Sequence, residues 1–266
     1  MHYFFIVALG MLAGLHAACY GAYKDSPYEK FILSRFFREV IIGALSALFI
    51  LLFTKTDGVS FVILFLSFVA CSRIFTETYK QFIRQEPQHR YKIPSMVHIF
   101  RIIPTSRLKR LILGILAFST FILLIAAALQ ISNFLPKNFA GPFLGLFTGL
   151  ITGVGGAYKD GFFEGFNLRK FFRSPTLGVL SGFLLSHFSN NPLFLLLSTW
   201  GLERMTVEFY KGFIKAKYMP GKFNLTKARY PEFFQKRKRL IPLYITTWVV
   251  LLILFIIEIY SEKQSL

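Results

Sequence analysis

The sequence predicts an all-α, polytopic integral membrane helix bundle with two tandem parallel repeats of about four membrane segments each. Two observations support this prediction: a charged motif occurs twice, and the apolar residues lie in blocks without charge. Of the 266 residues, 54% are hydrophobic, and the mean hydropathy is +0.53. This apolar content is far above that of an ordinary soluble domain.

The repeated motif begins with Gly-Ala-Tyr-Lys-Asp. Residues 21–38 read GAYKDSPYEKFILSRFFR and residues 156–173 read GAYKDGFFEGFNLRKFFR, so that 11 of 18 positions match. The apolar residues around the motif differ between the copies, whereas the charged residues keep their spacing. Self-similarity of this kind is typical of a duplicated structural unit.

A second motif follows in each half of the chain. It reads Arg-x3-Glu-x-Tyr-Lys-x-Phe and starts at Arg73 and at Arg204. We therefore divide the chain into repeat 1, residues 1–135, and repeat 2, residues 136–266, which together form one membrane domain.

Four uncharged apolar blocks are long enough to cross about 30 Å of hydrocarbon as helices. They are residues 3–22, 111–136, 139–157 and 240–257. Shorter apolar runs are predicted to form two hairpins, either as thin spans or as re-entrant pairs. These runs are residues 40–54, 58–72, 175–188 and 191–202. The sequence thus predicts eight segments, four in each repeat.

The positive charges are concentrated on one predicted side of the membrane. Of the 31 Lys and Arg residues, 28 lie in the connections 23–39, 73–110, 158–174 and 203–239. The positive-inside rule makes this side cytoplasmic and both termini extracytoplasmic. We expect these connections to contact anionic lipids of the bilayer. They are short membrane connections rather than a basic domain, so no nucleic-acid partner is expected.

Small residues recur every four positions in the first segment of each repeat. Such a face lets two helix backbones approach closely in lipid. The simplest arrangement pairs the two first segments across a pseudo-two-fold axis at the centre of the bundle. The helix-packing residues would be Gly10, Gly14, Gly141, Gly145, Gly149 and Gly153.

The two motifs supply the candidate binding residues. In repeat 1 they are Lys24, Asp25, Glu29, Arg38, Arg73, Glu77, Tyr79 and Lys80. In repeat 2 they are Lys159, Asp160, Glu164, Arg173, Arg204, Glu208, Tyr210 and Lys211. We expect Glu77 and Glu208 to bond a Lys or Arg of the first motif, because a carboxylate near hydrocarbon must be paired or hydrated. The alternative is that these residues are interfacial anchors and salt bridges that only lock the helices.

Several chemistries lack the residues that they require. The chain has three aspartates, Asp25, Asp57 and Asp160, too far apart for the clusters that hold Mg²⁺ on a diphosphate. No HExxH zinc motif occurs. We therefore expect no metal, no cofactor and no assigned catalytic residue, although enzymatic activity stays open.

The duplication favours transport or a channel-like role over catalysis. A pathway on a pseudo-symmetry axis uses both copies, whereas an enzyme needs one active site. The positive charge at the cytoplasmic end of the bundle predicts an anionic solute or a lipid headgroup as ligand. Two alternatives remain: a membrane-embedded enzyme acting on a lipid phosphate, and a scaffold subunit of a membrane complex.

Overall fold

The computed structural model describes residues 2–215, 222–224 and 227–265. The described residues form nine α-helices and no β-strand, so the prediction of an all-α protein is confirmed. The helices are α1 His2–Asp25, α2 Leu33–Phe53, α3 Phe61–Thr78, α4 Arg107–Asn133, α5 Lys137–Glu164, α6 Leu168–Leu185, α7 Pro192–Phe209, α8 Phe233–Lys236 and α9 Leu240–Ser265. One π-helical turn extends α3 over Tyr79–Ile83, and another extends α7 over Tyr210–Ile214.

Six helices of the described chain are long and apolar enough to cross a membrane, as expected of an integral membrane protein. They are α1, α2, α3, α4, α5 and α9. Helix α2 begins at Leu33, before the apolar run 40–54, and its first two turns contain Arg35 and Arg38 beside Phe36 and Phe37. Helices α6 and α7 have 18 residues each, and the count of eight segments stays a prediction.

The glycine faces join neighbouring helices within each repeat. A Cβ atom added to Gly10 or Gly14 would overlap the backbone of α2, where Gly43 lies opposite. A Cβ atom on Gly145 would likewise overlap Gly178 of α6. The prediction that α1 and α5 pair across the centre through these glycines is therefore wrong. The physical reason is that α2 and α6 carry small residues of their own at the contact, so each first helix finds a close partner next to it in the sequence.

Helices α3 and α7 pack against each other in the interior of the bundle. The only glycine of α7, Gly201, lies so close to Leu66 of α3 that a side chain at this position would overlap the α3 backbone. Residues 62–71 of α3 and 194–199 of α7 are buried. By contrast, only 11% of the most apolar stretch of α4 is buried. Helices α3 and α7 thus form the core, and α4 presents an apolar surface suited to lipid.

Candidate functional site

The charged motifs meet at one end of the bundle. Ion pairs and hydrogen bonds connect the ends of helices that are far apart in the sequence. Arg73 of α3 is paired with Glu208 of α7, and the Lys222 ammonium lies 2.6 Å from the Asp25 carboxylate at the end of α1. Arg101 donates to the carbonyl oxygen of Phe162 near the end of α5. The carboxyl ends of α1, α3, α5 and α7 therefore surround one polar region.

Glu208 is the buried acidic residue with the most charged partners in the described part of this region, and 2% of its side chain is exposed. Besides Arg73, it has the Arg204 guanidinium at 3.5 Å and His16 Nε2 at 3.6 Å. The His16 ring is fully buried, and its Nδ1 atom lies 3.2 Å from the Thr247 hydroxyl of α9. A carboxylate removed from water is tolerated only with such compensation. Glu208 therefore connects α1, α3 and α7, and His16 extends the connection to α9.

Glu77 occupies the equivalent position in repeat 1, but its environment differs. Its side chain is 40% exposed, and its ion-pair partner is Lys80 at 3.5 Å. Apart from His16, the charged partners within 4.0 Å of Glu77 and Glu208 come from the second motif. The sequence had led us to expect partners from the first motif. The reason is that the i, i+3 and i, i+4 spacings within one helix, together with α3–α7 packing, bring second-motif cations closest.

Arg38 and Arg173 approach equivalent tyrosines. The Arg38 guanidinium lies 5.2 Å from the ring centroid of Tyr79, and that of Arg173 lies 6.0 Å from the ring centroid of Tyr210. Both distances are within the range of a cation–π interaction. The two π-helical turns therefore present a tyrosine to the first-motif arginine in each half.

The acidic residues of the first motif bind separate partners. Asp25 pairs with Lys222, as described above, and Glu29 accepts a hydrogen bond of 2.9 Å from the Tyr91 hydroxyl. Glu164 lies 3.1 Å from the Lys170 ammonium. No group of three potential metal-ligating residues was found in the described part of the chain.

Tyr91 fastens the connection between α3 and α4 to the site. Its hydroxyl hydrogen-bonds Glu29 and, at 2.8 Å, Glu86. Burial and the neighbouring Glu29 carboxylate raise the pKa of the Tyr91 hydroxyl, which therefore stays protonated as a donor. Arg35 also bridges Glu29 and Glu86, so this loop is fixed by charges of repeat 1.

Tyr91→Phe is expected to loosen this loop, because it removes a hydroxyl bonded to two carboxylates, a loss on the order of 1–3 kcal/mol. Hydrogen exchange of peptides covering residues 84–106 should become faster. Tyr79→Phe is the control, since no hydrogen bond of its hydroxyl is recorded among the described residues and its ring would still face Arg38. Unchanged exchange in Tyr91→Phe would show that the other contacts of the loop, such as those of Arg35 and Arg101, hold it without this hydroxyl.

Two cavities open into the charged region. The repeat-1 cavity, of about 320 Å³, is lined by charged residues that include Arg38, Glu39, Arg73 and Glu77. The repeat-2 cavity, of about 450 Å³, is lined by residues that include Asp160, Arg173 and Ser174. The cationic residues that line both cavities are Lys24, Lys159, Arg204, Lys211 and Lys222.

Sequence reasoning missed Glu39, which lies 2.8 Å from Arg38 and accepts a 2.7 Å hydrogen bond from Thr76. The signal was a reciprocal exchange between the repeats. Repeat 1 has Arg38-Glu39 and later Ser72-Arg73, whereas repeat 2 has Arg173-Ser174 and later Glu203-Arg204. Each half therefore keeps one carboxylate between its second and third long helices. In repeat 1 it is Glu39 on the second helix, α2, and in repeat 2 it is Glu203 on the third helix, α7.

His16 and Lys222 were also missed, because neither belongs to a motif. The residue equivalent to His16 in repeat 2 is Ile151, so no repetition marks it. Lys222 belongs to the basic connection 203–239, and nothing in the sequence distinguishes it from the other lysines there.

Comparison of the chain with protein-family models, with curated proteins and with solved structures gave no significant match.

Proposed function

We propose that this protein is an integral membrane transporter of the carrier type that binds an anionic solute or lipid headgroup at the charged end of its bundle. In this proposal the chain forms two parallel repeats with eight membrane segments. The basic end faces the cytoplasm and anionic lipids, and both termini lie on the opposite side. The observation that carries the proposal is the shared cationic lining of the two cavities.

The shared lining supports an anionic ligand because five of its six residues are positive, the sixth being Ile93, and the positive residues come from both halves of the chain. Cations on converging helices raise the local concentration of anions. The carboxyl ends of four helices point to this region, and their partial negative charge stabilises the cations before a ligand binds. A ligand here would contact both repeats at once.

Carrier-type transport is favoured over a permanently open channel by the packing of α3 against α7. The contact of Gly201 with the α3 backbone leaves no room for a side chain, and the residues around it are buried. A path along the α3–α7 contact would need these helices to separate. Alternating access by movement of one repeat against the other would provide such a separation.

The test uses purified protein in liposomes, with uptake of inorganic phosphate and chloride and movement of fluorescent anionic lipids as readouts. We expect flux of at least one of these substrates. The double variant Lys24→Gln/Lys159→Gln should reduce the flux about tenfold or more, because it removes two charged contacts to the ligand.

The matched control is Lys55→Gln/Lys137→Gln, which removes two lysines from outside the four basic connections. It should leave the flux within about twofold of the wild type, since neither residue lines a cavity described here. Wild-type protein that moves none of the substrates would refute transport. Equal flux in both double variants would refute the assigned site.

A further inference from the structure

The two cavities differ in how far their cations are neutralised. In repeat 1, Arg38 has the Glu39 carboxylate at 2.8 Å. In repeat 2, Ser174 stands where Glu39 stands, and the Arg173 guanidinium has no carboxylate oxygen within 4.0 Å among the residues described. Glu203 attracts Arg173 from a greater distance and offsets its charge in part. The Nε atoms of Arg38 and Arg173 are both buried without a hydrogen-bond partner, so the difference between the two arginines lies in the Glu39 carboxylate alone.

The lysines of the second motif show the same difference. Lys80 lies 3.5 Å from Glu77. For its counterpart Lys211, no carboxylate within 4.0 Å is recorded in the described ranges. The equivalent acid, Glu208, is held instead by Arg73 and lies beside His16. Because repeat 2 has isoleucine in place of this histidine, the arrangement is not repeated.

The repeat-2 cavity consequently holds an excess of positive charge. Within the described part of the chain, six of its cations lack an ion pair: Lys24, Lys159, Arg173, Lys211, Lys215 and Arg237. Its acidic lining residues are Asp160 and Glu164, and Glu164 is paired with Lys170. Lys211 is repelled by Arg173, Arg204 and Lys24 and is attracted by Asp160. A bound dianion would relieve this repulsion.

We propose that the repeat-2 cavity is a binding site for a dianionic phosphate group, either free or as the phosphomonoester headgroup of a lipid, held by Arg173, Lys211, Lys159 and Lys24. This inference rests on the proposed function and makes the site one-sided. Arg38 and Lys80 of the repeat-1 cavity are already paired and have a structural role. The planar guanidinium of arginine matches two phosphate oxygens, and lysine supplies further point charges. A cavity of about 450 Å³ is within the usual size range of small-ligand sites.

The experiment measures binding by calorimetry to the full-length protein in neutral detergent. One arm uses sodium phosphate, and the other uses short-chain phosphatidic acid. The variants form two matched pairs at equivalent positions: Arg173→Gln with Arg38→Gln, and Lys211→Gln with Lys80→Gln. Size-exclusion chromatography and circular dichroism check that each variant is folded.

Arg173→Gln and Lys211→Gln are each expected to weaken binding about tenfold or more, which corresponds to one charged hydrogen bond. Arg38→Gln and Lys80→Gln should stay within about threefold of the wild type. Binding in both arms indicates that a free phosphate suffices, and binding in the lipid arm alone indicates a lipid headgroup; either result, with the repeat-2 variants weakened, supports the inference.

Equal weakening in the two members of each pair would overturn the one-sided site and leave the proposed transport intact. A wild-type protein that binds neither sodium phosphate nor phosphatidic acid would also overturn this inference. The liposome flux of the wild type then decides the proposed function separately, since a carrier for another anion would still show flux. If one repeat-2 variant fails to fold, the other matched pair gives the answer.

Discussion

Glu208→Gln is expected to lower the stability of the protein by about 3 kcal/mol, because it leaves the largely buried Arg73 and the partly buried Arg204 without their common anion. Glutamine has nearly the same shape as glutamate, so the change removes charge rather than packing. The Arg73 side chain is only 11% exposed, and water compensates its charge poorly. Thermal unfolding in detergent should show a clearly lower melting temperature.

Glu77→Gln provides the matched control from repeat 1. The Glu77 side chain is 40% exposed and has Lys80 as its ion-pair partner, and an exposed pair contributes about 0–1 kcal/mol. Its melting temperature should therefore remain close to that of the wild type. Equal losses for the two variants would contradict the assignment of Glu208 as the central buried anion.

Gly145→Ala is expected to separate α5 from α6 and to destabilise the protein on the order of 3 kcal/mol, as overpacked cores do. The added methyl group would overlap the backbone of Gly178, which belongs to another helix and cannot rotate away as a side chain can. The loss should be large enough to exceed the gain in helix propensity from glycine to alanine, about 1 kcal/mol. Unfolding in detergent measures the difference.

Gly155→Ala is the control on the same helix, since a Cβ atom there meets nothing within 4 Å. This variant should be as stable as the wild type or slightly more stable, because only helix propensity changes. A stable Gly145→Ala protein would show that the α5–α6 contact relaxes without cost, and the close approach would lose its importance for the fold.

Much of the fold was predictable because lipid places simple demands on a helix. The uncharged run at 3–22 lies within α1, and the run at 111–136 lies within α4 up to Asn133, where that helix ends. The pairing of the helices was not predictable from one glycine face. Gly145 shows that close approach will occur but does not name its partner, since α1 and α6 both offer small residues. The partner of α5 is identified by a second small-residue face on α6, formed by Gly178 and Gly182.

The motifs also predicted which residues line the charged end of the bundle, but they did not predict the contacts between them. Lys24 and Lys159, at equivalent positions, line both cavities. The pairing of Arg73 with Glu208 could not be predicted from the sequence, because it depends on how α3 crosses α7 and not on the spacing within either motif. The repeated motifs identify the residues that the two halves share. The difference in charge between the two cavities comes from equivalent positions that differ, Glu39 and Ser174.

The close contacts of α1 with α2 and of α5 with α6 have a consequence for biogenesis. Each contact joins neighbours in the sequence, so each hairpin can pack as soon as its two helices have left the ribosome. The contact of Leu66 with Gly201 must wait until most of the chain has been synthesised. Arg73 therefore enters the membrane region before Glu208 exists to neutralise it. During that interval the nascent chain needs water, lipid headgroups or a membrane chaperone around its unpaired arginine.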